Sequence, residues 1–532
     1  MKRILLIIIC LALFCPAMVL ADVIYVSGDV SGIWSADTVF VTGEIIVPVG
    51  DTLIIEPGVE VLFQVNCEFT VDSAACLFAV GTETDSIRFD ACIPGFNWHG
   101  IRFSYASDSS RLEYCWITDS DDSGVNCNYS NPKVMHCRIE NCSADGGGGI
   151  KCVRSSPIIM GNVIAGNIAT MGAGIHCHYQ SSPVISGNVI SGNIAYWSYG
   201  GGIYCYNESN PVISDNVISG NMVFNGSGGG ISCEGSSPTI SGNSFVGNHA
   251  DSFYGGAIFC DFSSPEIHNN TFYANSAHGG GGIHCYVSSD PIISRNLLVG
   301  NYTSDRDGGA ICCNNSNPAI INNTIVGNST GGEGGGIYCG SASDITIVNT
   351  ILWNNTPEQI CVFTGVEPSV TYCDVQGGWG GLGNINEDPS FINAVLGDFH
   401  LQWGSPCIDA GDPNSPLDPD GTVADIGAFY YNQLGVGGGT ELAQPLIYRL
   451  FPNYPNPFNP TTTLTFVMPF RSHVSLAVYD LLGRQVAIII DDICDAGNYE
   501  VVFDGSGLAS GVYFCRLHAS GNTLTQKMVL VK

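Results

Sequence analysis

The chain has 532 residues, 67 of them glycine, with 12 % charged and 45 % hydrophobic side chains. So much glycine with so little charge argues against a helical bundle, and the apolar content argues against disorder. The formal net charge is −31, and residues 22–440 hold 9 Lys and Arg against 41 Asp and Glu. Such a surface repels nucleic acid and polyanionic sugars at low salt and suits neutral glycans, cations or plain solubility.

Lys2 and Arg3 precede an apolar stretch from Ile4 to Cys15, and Ala21 closes a signal-peptidase site before Asp22. That stretch is too short to span a bilayer, so residues 1–21 read as an export signal peptide. Residues 38–64 follow as short strand-like runs with Pro-Gly turns, the pattern of first coils that must cover an open hydrophobic end. The segments Trp98-His99-Gly100-Ile101 and Tyr114-Cys115-Trp116-Ile117 continue it less regularly.

From residue 150 a repeat sets in. Gly-Ile-x-Cys recurs at Ile150/Cys152, Ile175/Cys177, Ile203/Cys205, Ile231/Cys233, Ile258/Cys260, Ile283/Cys285, Ile311/Cys313 and Ile337/Cys339, at intervals of 25 to 28 residues, with Val125/Cys127 as an earlier member. A period in this range marks a stacked solenoid. A second motif, Asn-x-apolar-x-x-Asn, gives the pairs Asn162/Asn167, Asn188/Asn193, Asn216/Asn221, Asn243/Asn248, Asn270/Asn275, Asn296/Asn301, Asn323/Asn328 and Asn349/Asn354. Proline stands five residues before the first Asn in all but the last unit, where Asp344 replaces it.

Each unit thus holds three short runs of strand-like alternation separated by Gly, Ser-Pro and Asn corners. Three strands per coil, paired in parallel with the coils above and below, predict a parallel β-helix over 22–434 rising roughly 4.8 Å per coil. Ile and Cys of the motif share one face, the interior. The Asn side chains tolerate corner geometry and can donate to one neighbouring coil while accepting from the other, which predicts structural amide ladders. In-register cysteines on neighbouring coils point the same way at strand spacing, too far for disulfide geometry, and read as buried apolar fillers. Of Cys312 and Cys313 only one can point inward. Variable length is confined to the Gly-rich corners, where specific function is expected.

Asp388-Pro389-Ser390-Phe391 and Gly404-Ser405-Pro406 lead into an Asp-rich turn. Asp412, Asp418, Asp420 and Asp425 there form a candidate Ca2+ loop or a metal-free capping turn, since the EF-hand ligand order does not continue. No cofactor is required by the sequence.

Residues 38–430 resemble the right-handed parallel β-helix proteins of the pectin-lyase-like superfamily. The Gly-Gly-Ala-Ile copies at 255–258 and 308–311 also resemble polymorphic outer-membrane protein repeats. Right-handedness is what the first resemblance implies, in agreement with the crossover rule; fold alone does not set function.

A Gly-rich linker, 435–445, leads to residues 446–532, about seven short β runs that predict a small immunoglobulin-like β-sandwich. It contains Tyr454-Pro455-Asn456-Pro457-Phe458-Asn459-Pro460, Tyr479-Asp480-Leu481-Leu482-Gly483-Arg484, Gly511-Val512-Tyr513 and a closing Lys527-Met528-Val529-Leu530-Val531-Lys532. These motifs resemble the type A C-terminal sorting domain of the type IX secretion system, and less closely the immunoglobulin-like module of flagellar hook-capping proteins. The first resemblance implies the type IX machinery as partner, and a protein secreted from, or held on the outer-membrane surface of, a Gram-negative-type bacterium. In that family the tail is often removed on arrival.

Chemistry, if present, is expected on the outward side of the Gly-Ile-x-Cys strand. His176, Tyr204, Phe259, His284 and Tyr338 precede the cysteines, and His178, Tyr206 and Tyr286 follow them. Rings recurring on neighbouring coils could stack on sugar rings, or reflect the strand preference of aromatics alone. Glu234 and Asp261 share one column on adjacent coils, about 5 Å apart by strand spacing. They form a candidate acid/base pair or half a Ca2+ site. A pectate-lyase reading needs a basic residue on this face, and the family's catalytic Arg motif is not visible. The favoured expectation is therefore a non-catalytic protein binding a neutral polysaccharide or cell-surface glycan in adhesion. The alternative is a polysaccharide-degrading lyase or glycoside hydrolase.

Overall fold

The computed structural model describes residues 22–93, 98–197, 199–433, 448–468, 472–481, 483–495, 497–519 and 522–532. The expected signal peptide and the linker at 435–445 lie outside the described residues.

The coil that starts at Ile231 shows how the repeat folds. Strands Ile231–Glu234, Thr239–Ser241 and Ser244–Val246 are joined by glycines at positive φ, Gly235, Gly242 and Gly247. Thr239–Ser241 and Ser244–Val246 alternate partly exposed and buried positions, as half-buried strands must, whereas Ile231–Glu234 is buried at its first three positions. Ile203, Ile231 and Ile258 stand in register on successive coils, as do Cys205, Cys233 and Cys260. All ladders of the solenoid are parallel, over about 13 turns. To the three expected strands the coils add a fourth, short ladder running from Ser143–Gly146 to Ser329–Thr330. It is formed by the residues just after the second Asn, too few per coil to register as a strand in the sequence.

The interior of the regular coils is a stack of like on like. Ile150, Ile175, Ile203, Ile231, Ile258, Ile283, Ile311 and Ile337 are all fully buried, as are the cysteines two residues on. Every described cysteine is free. Burial pushes the thiols of Cys142 and Cys339 up, to about 11 and about 12. Cys313 takes the interior place, while Cys312 joins the outward column between His284 and Tyr338.

The amide ladders form as expected. Asn221 Oδ1 accepts from the backbone N–H (3.1 Å) and Nδ2 (2.9 Å) of Asn193. Asn221 Nδ2 donates to Ile190 O (2.9 Å) and to Asn248 Oδ1 (3.0 Å). Buried corner groups are thereby paired without water. A serine ladder accompanies them: the backbone N–H groups of Ser155, Ser181, Ser209 and Ser236 each donate to the serine hydroxyl of the next coil at 3.1 Å. The last asparagine pair is corrected. Leu352, rather than Ile351, pairs with Ile325 inside, so Thr350 and Asn355 occupy the ladder columns in place of Asn349 and Asn354. Asn349 instead accepts from the Asp412 N–H at 2.7 Å.

The first coils differ. Strand Thr38–Val47 is long enough to pair with both Glu60–Phe63 and Phe69–Val71, joining two ladders. Their interior is filled by Phe63, Phe69, Phe89, Trp98 and Phe103, with Phe63 and Trp98 stacked 4.0 Å apart. At the other end, the capping segment is no further coil. After Asp374–Val375 the chain makes the hairpin Phe391–Asn393/Asp398–Leu401 and then lies along the side of the last coils. There Ala428 N–H reaches Thr324 Oγ1 at 3.0 Å and Asn322 Nδ2 reaches Asp425 O at 3.0 Å.

In the C-terminal unit a three-stranded and a four-stranded antiparallel sheet share one core, containing Phe458, Leu464, Phe466, Leu476, Val478, Leu517 and Met528. The opening motif is tied to the closing one: Asn456 Oδ1 accepts from the Val529 N–H at 2.9 Å and Phe458 O from the Val531 N–H at 2.9 Å.

Candidate functional site

The outward side of the Gly-Ile-x-Cys ladder has two columns, and the structure treats them differently. The column before the cysteines was expected to be an open face. It is covered: His176, Tyr204, Phe259, His284 and Tyr338 are all buried. The cover comes from the Gly-rich corners. Tyr199 stacks on Tyr204 and Phe259 at 5.6 and 5.9 Å, and the Tyr254 ring lies tilted against His284 at 4.4 Å. The backbone of Gly172 and Gly280 lies so close to His176 and His284 that an added Cβ would fall 2.9 and 2.7 Å from their Cβ atoms. Burial drives both imidazoles down to about 3, so they stay neutral.

The column after the cysteines remains accessible. His178 and Tyr206 are half-buried and Tyr286 is exposed. Their rings continue the buried stack outward, His178 lying 5.1 Å from Tyr206 and Tyr204 lying 5.6 Å from Tyr206.

Glu234 and Asp261 are in-register neighbours in this column, as expected. Tyr204 donates its hydroxyl to Glu234 Oε2 at 2.6 Å, and burial together with that bond holds its phenol well above the ordinary range. Burial first and the Glu234 charge second push Asp261 up to about 6. One carboxyl of the pair thus keeps its proton up to about pH 6 while the other accepts a hydrogen bond, an asymmetry of the kind acid/base chemistry uses.

A third column, two residues after the cysteines, escaped the sequence reading. Tyr105, Tyr129, Arg154 and Tyr179 stand there on successive coils with φ of 48–53°, in the left-handed region. All four are exposed. Tyr105 and Tyr129 stack at 4.6 Å with an 8° interplanar angle, and the Arg154 guanidinium lies 5.6 Å from the Tyr129 ring and 5.7 Å from that of Tyr179. The signal that would find them is the fixed offset from the Cys column.

The four aspartates of the cap act as turn acceptors. Asp425 accepts from the N–H groups of Asp409 (2.7 Å) and Tyr431 (2.6 Å), and Asp418 from that of Asp425 (2.8 Å). Asp420 accepts from the Gln433 N–H (3.0 Å) and Asp412 from the Asn414 N–H (2.9 Å). Burial pushes Asp425 up to about 6, whereas the Gln433 N–H lowers Asp420. Backbone donors thus already engage an oxygen of each, which fits a brace for the cap. Among the described residues no group of three or more His, Cys, Asp or Glu side chains converges to hold a metal.

Residues 32–190 and 186–325, together more than half of the chain, match the family described as right handed beta helix region. The chain belongs to that family, and its solenoid is right-handed. Residues 453–532 match the secretion system C-terminal sorting domain. It is therefore an exported β-helix protein bearing a type IX sorting tail, and the tail implies interaction with the type IX secretion machinery. No curated protein matches the chain.

Proposed function

We propose that this is a non-catalytic glycan-binding protein, delivered to the surface or surroundings of a Gram-negative-type cell and acting there in adhesion. The observation that supports it is the set of accessible rings His178 and Tyr206 on adjacent coils and Tyr286 beyond Glu234 and Asp261, all backed by the buried stack beneath. Flat rings on a pre-formed surface offer sugar-stacking area at low entropic cost, and the sorting tail places them outside the cell. A glycan array with Tyr206→Ala and Tyr286→Ala tests it. Binding without turnover, weakened by the double variant, is the expected result; an array blank for the parent protein rejects the reading.

The Glu234/Asp261 pair favours a second reading, a glycoside hydrolase or polysaccharide lyase. Its spacing is near that of retaining glycosidases, and Tyr204 adds a third group. Reducing-sugar and unsaturated-product assays decide between the two. Turnover lost in both Glu234→Gln and Asp261→Asn establishes the enzyme and removes the first reading.

A further inference from the structure

The corner column Tyr105, Tyr129, Arg154 and Tyr179 forms one exposed ridge in the left-handed backbone region. Other coils fill the same corner with Asn207, Gly235, Phe262, Val287 and Asn315, all also at positive φ. Glycine and asparagine are the ordinary occupants of this region, and a bulky residue there is strained. Three tyrosines and an arginine on consecutive coils, all exposed, gain no burial in exchange. They stack on one another instead, which sets these coils apart.

Charge sets Arg154 apart from the arginines of the preceding coils. Arg88, Arg102, Arg111 and Arg138 each pair with a carboxylate, Asp90, Glu68, Glu113 and Glu140 in turn. Arg154 makes no ion pair among the described residues, and neither does Lys151 on the same coil. The ridge therefore presents unpaired positive charge on an otherwise strongly acidic protein. The exposed Arg154 guanidinium lies near the rings of both Tyr129 and Tyr179, and its hydrogen-bond donors can grip a carboxylate bidentately. One coil beyond Tyr179 the surface turns acidic again: Gln180 Nε2 donates to Glu208 Oε2 at 2.8 Å, and Glu234 and Asp261 follow on the next coils.

We propose that this ridge binds a glycan in which single carboxylate-bearing sugars alternate with neutral ones. The inference rests on the glycan-binding reading above and names the chemistry of its ligand. Arg154 takes one carboxylate edge-on, and Tyr129 and Tyr179 contact the neighbouring neutral sugars. The four positions span roughly 14 Å along the axis at strand spacing, room for only a few sugars. A polymer charged on every sugar would press its remaining carboxylates against Glu208, Glu234 and Asp261, so it is disfavoured. The ridge thus selects charge density as well as charge sign.

Calorimetry on the full exported chain tests this with three probes: a hyaluronan decasaccharide, whose uronates alternate with neutral sugars, a fully charged oligogalacturonate, and neutral cellopentaose. Hyaluronan is expected to bind best, and Arg154→Gln to weaken it roughly tenfold, the worth of a charge-assisted bond, while flattening its salt dependence. Arg154→Lys restores only part, because it lacks the fork. Tyr179→Asn, which places there the residue other coils use, keeps the circular dichroism of the β-helix while weakening hyaluronan. Unchanged hyaluronan affinity in Arg154→Gln overturns the inference, as does galacturonate binding as tightly as hyaluronan. Neutral or other glycan binding that ignores Arg154 would leave the broader reading intact and sink only this one. A protein that binds no glycan on an array sinks both.

Discussion

The first coils and the regular coils close the same cross-section by different means. Between Thr38 and Thr118 the interior is an interlocking set of large rings, and Trp98 is pinned by its indole N–H to Thr118 O at 2.8 Å. From Ile150 onward the interior repeats isoleucine and cysteine, with Phe245 stacked on Phe272 among them, and asparagine and serine ladders hold the corners. Side-chain volume specifies the register of the first kind, since each ring fits one place. In the second kind identical residues would fit several registers equally well, and the polar ladders select one. The lesson is that a uniform apolar stack needs a polar device to choose its alignment.

Substitutions can break each device separately. Trp98→Ala should cost most, about 3–5 kcal/mol by urea unfolding, because nothing repeats nearby to fill the cavity. Asn221→Ala should cost about 3 kcal/mol, since it removes the side-chain partners of the Ile190 carbonyl and of both Asn193 donors together. Ile231→Val in the uniform stack should cost only about 1 kcal/mol. An Asn221→Ala loss no larger than that of Ile231→Val would show that the ladder is dispensable.

The smallest expected effect is on pH dependence. Asp261 is raised to about 6 from a model-peptide value of 3.8. A raised carboxyl contributes stability in full below its unfolded value and loses it as pH rises through the folded one. The thermal midpoint of the parent protein should therefore fall relative to Asp261→Asn between pH 4 and pH 7.

Much of this was legible in the chain because periodicity is local information. Ile231, Cys233 and Asn248 repeat at fixed offsets, so their columns could be assigned without coordinates. The burial of His176, Tyr204 and Phe259 could not, because alternation says which way a side chain points and nothing about what lies over it. Tyr199 and Tyr254, which cover them, sit in corners of unequal length, outside the period. Thr350 and Asn355 were missed because Asn349 and Asn354 keep the same five-residue step one place earlier, and the side-packed cap was what fixed the true register. The ridge around Arg154 was hidden for another reason: its residue types vary while its backbone conformation stays constant.

The amide ladder ends at Gln359, whose Oε1 accepts from Asn355 Nδ2 at 2.7 Å and whose Nε2 returns to Asn355 O at 3.2 Å. One glutamine answers the last rung from within its own coil, so the ladder below it has no built-in length. A duplicated or deleted coil of about 27 residues would leave every surviving rung with a neighbour of the same kind. Insertion of half a coil would strand a whole set of amides. In descent, the protein is therefore free to lengthen or shorten by entire turns, with its export tail and its first coils untouched.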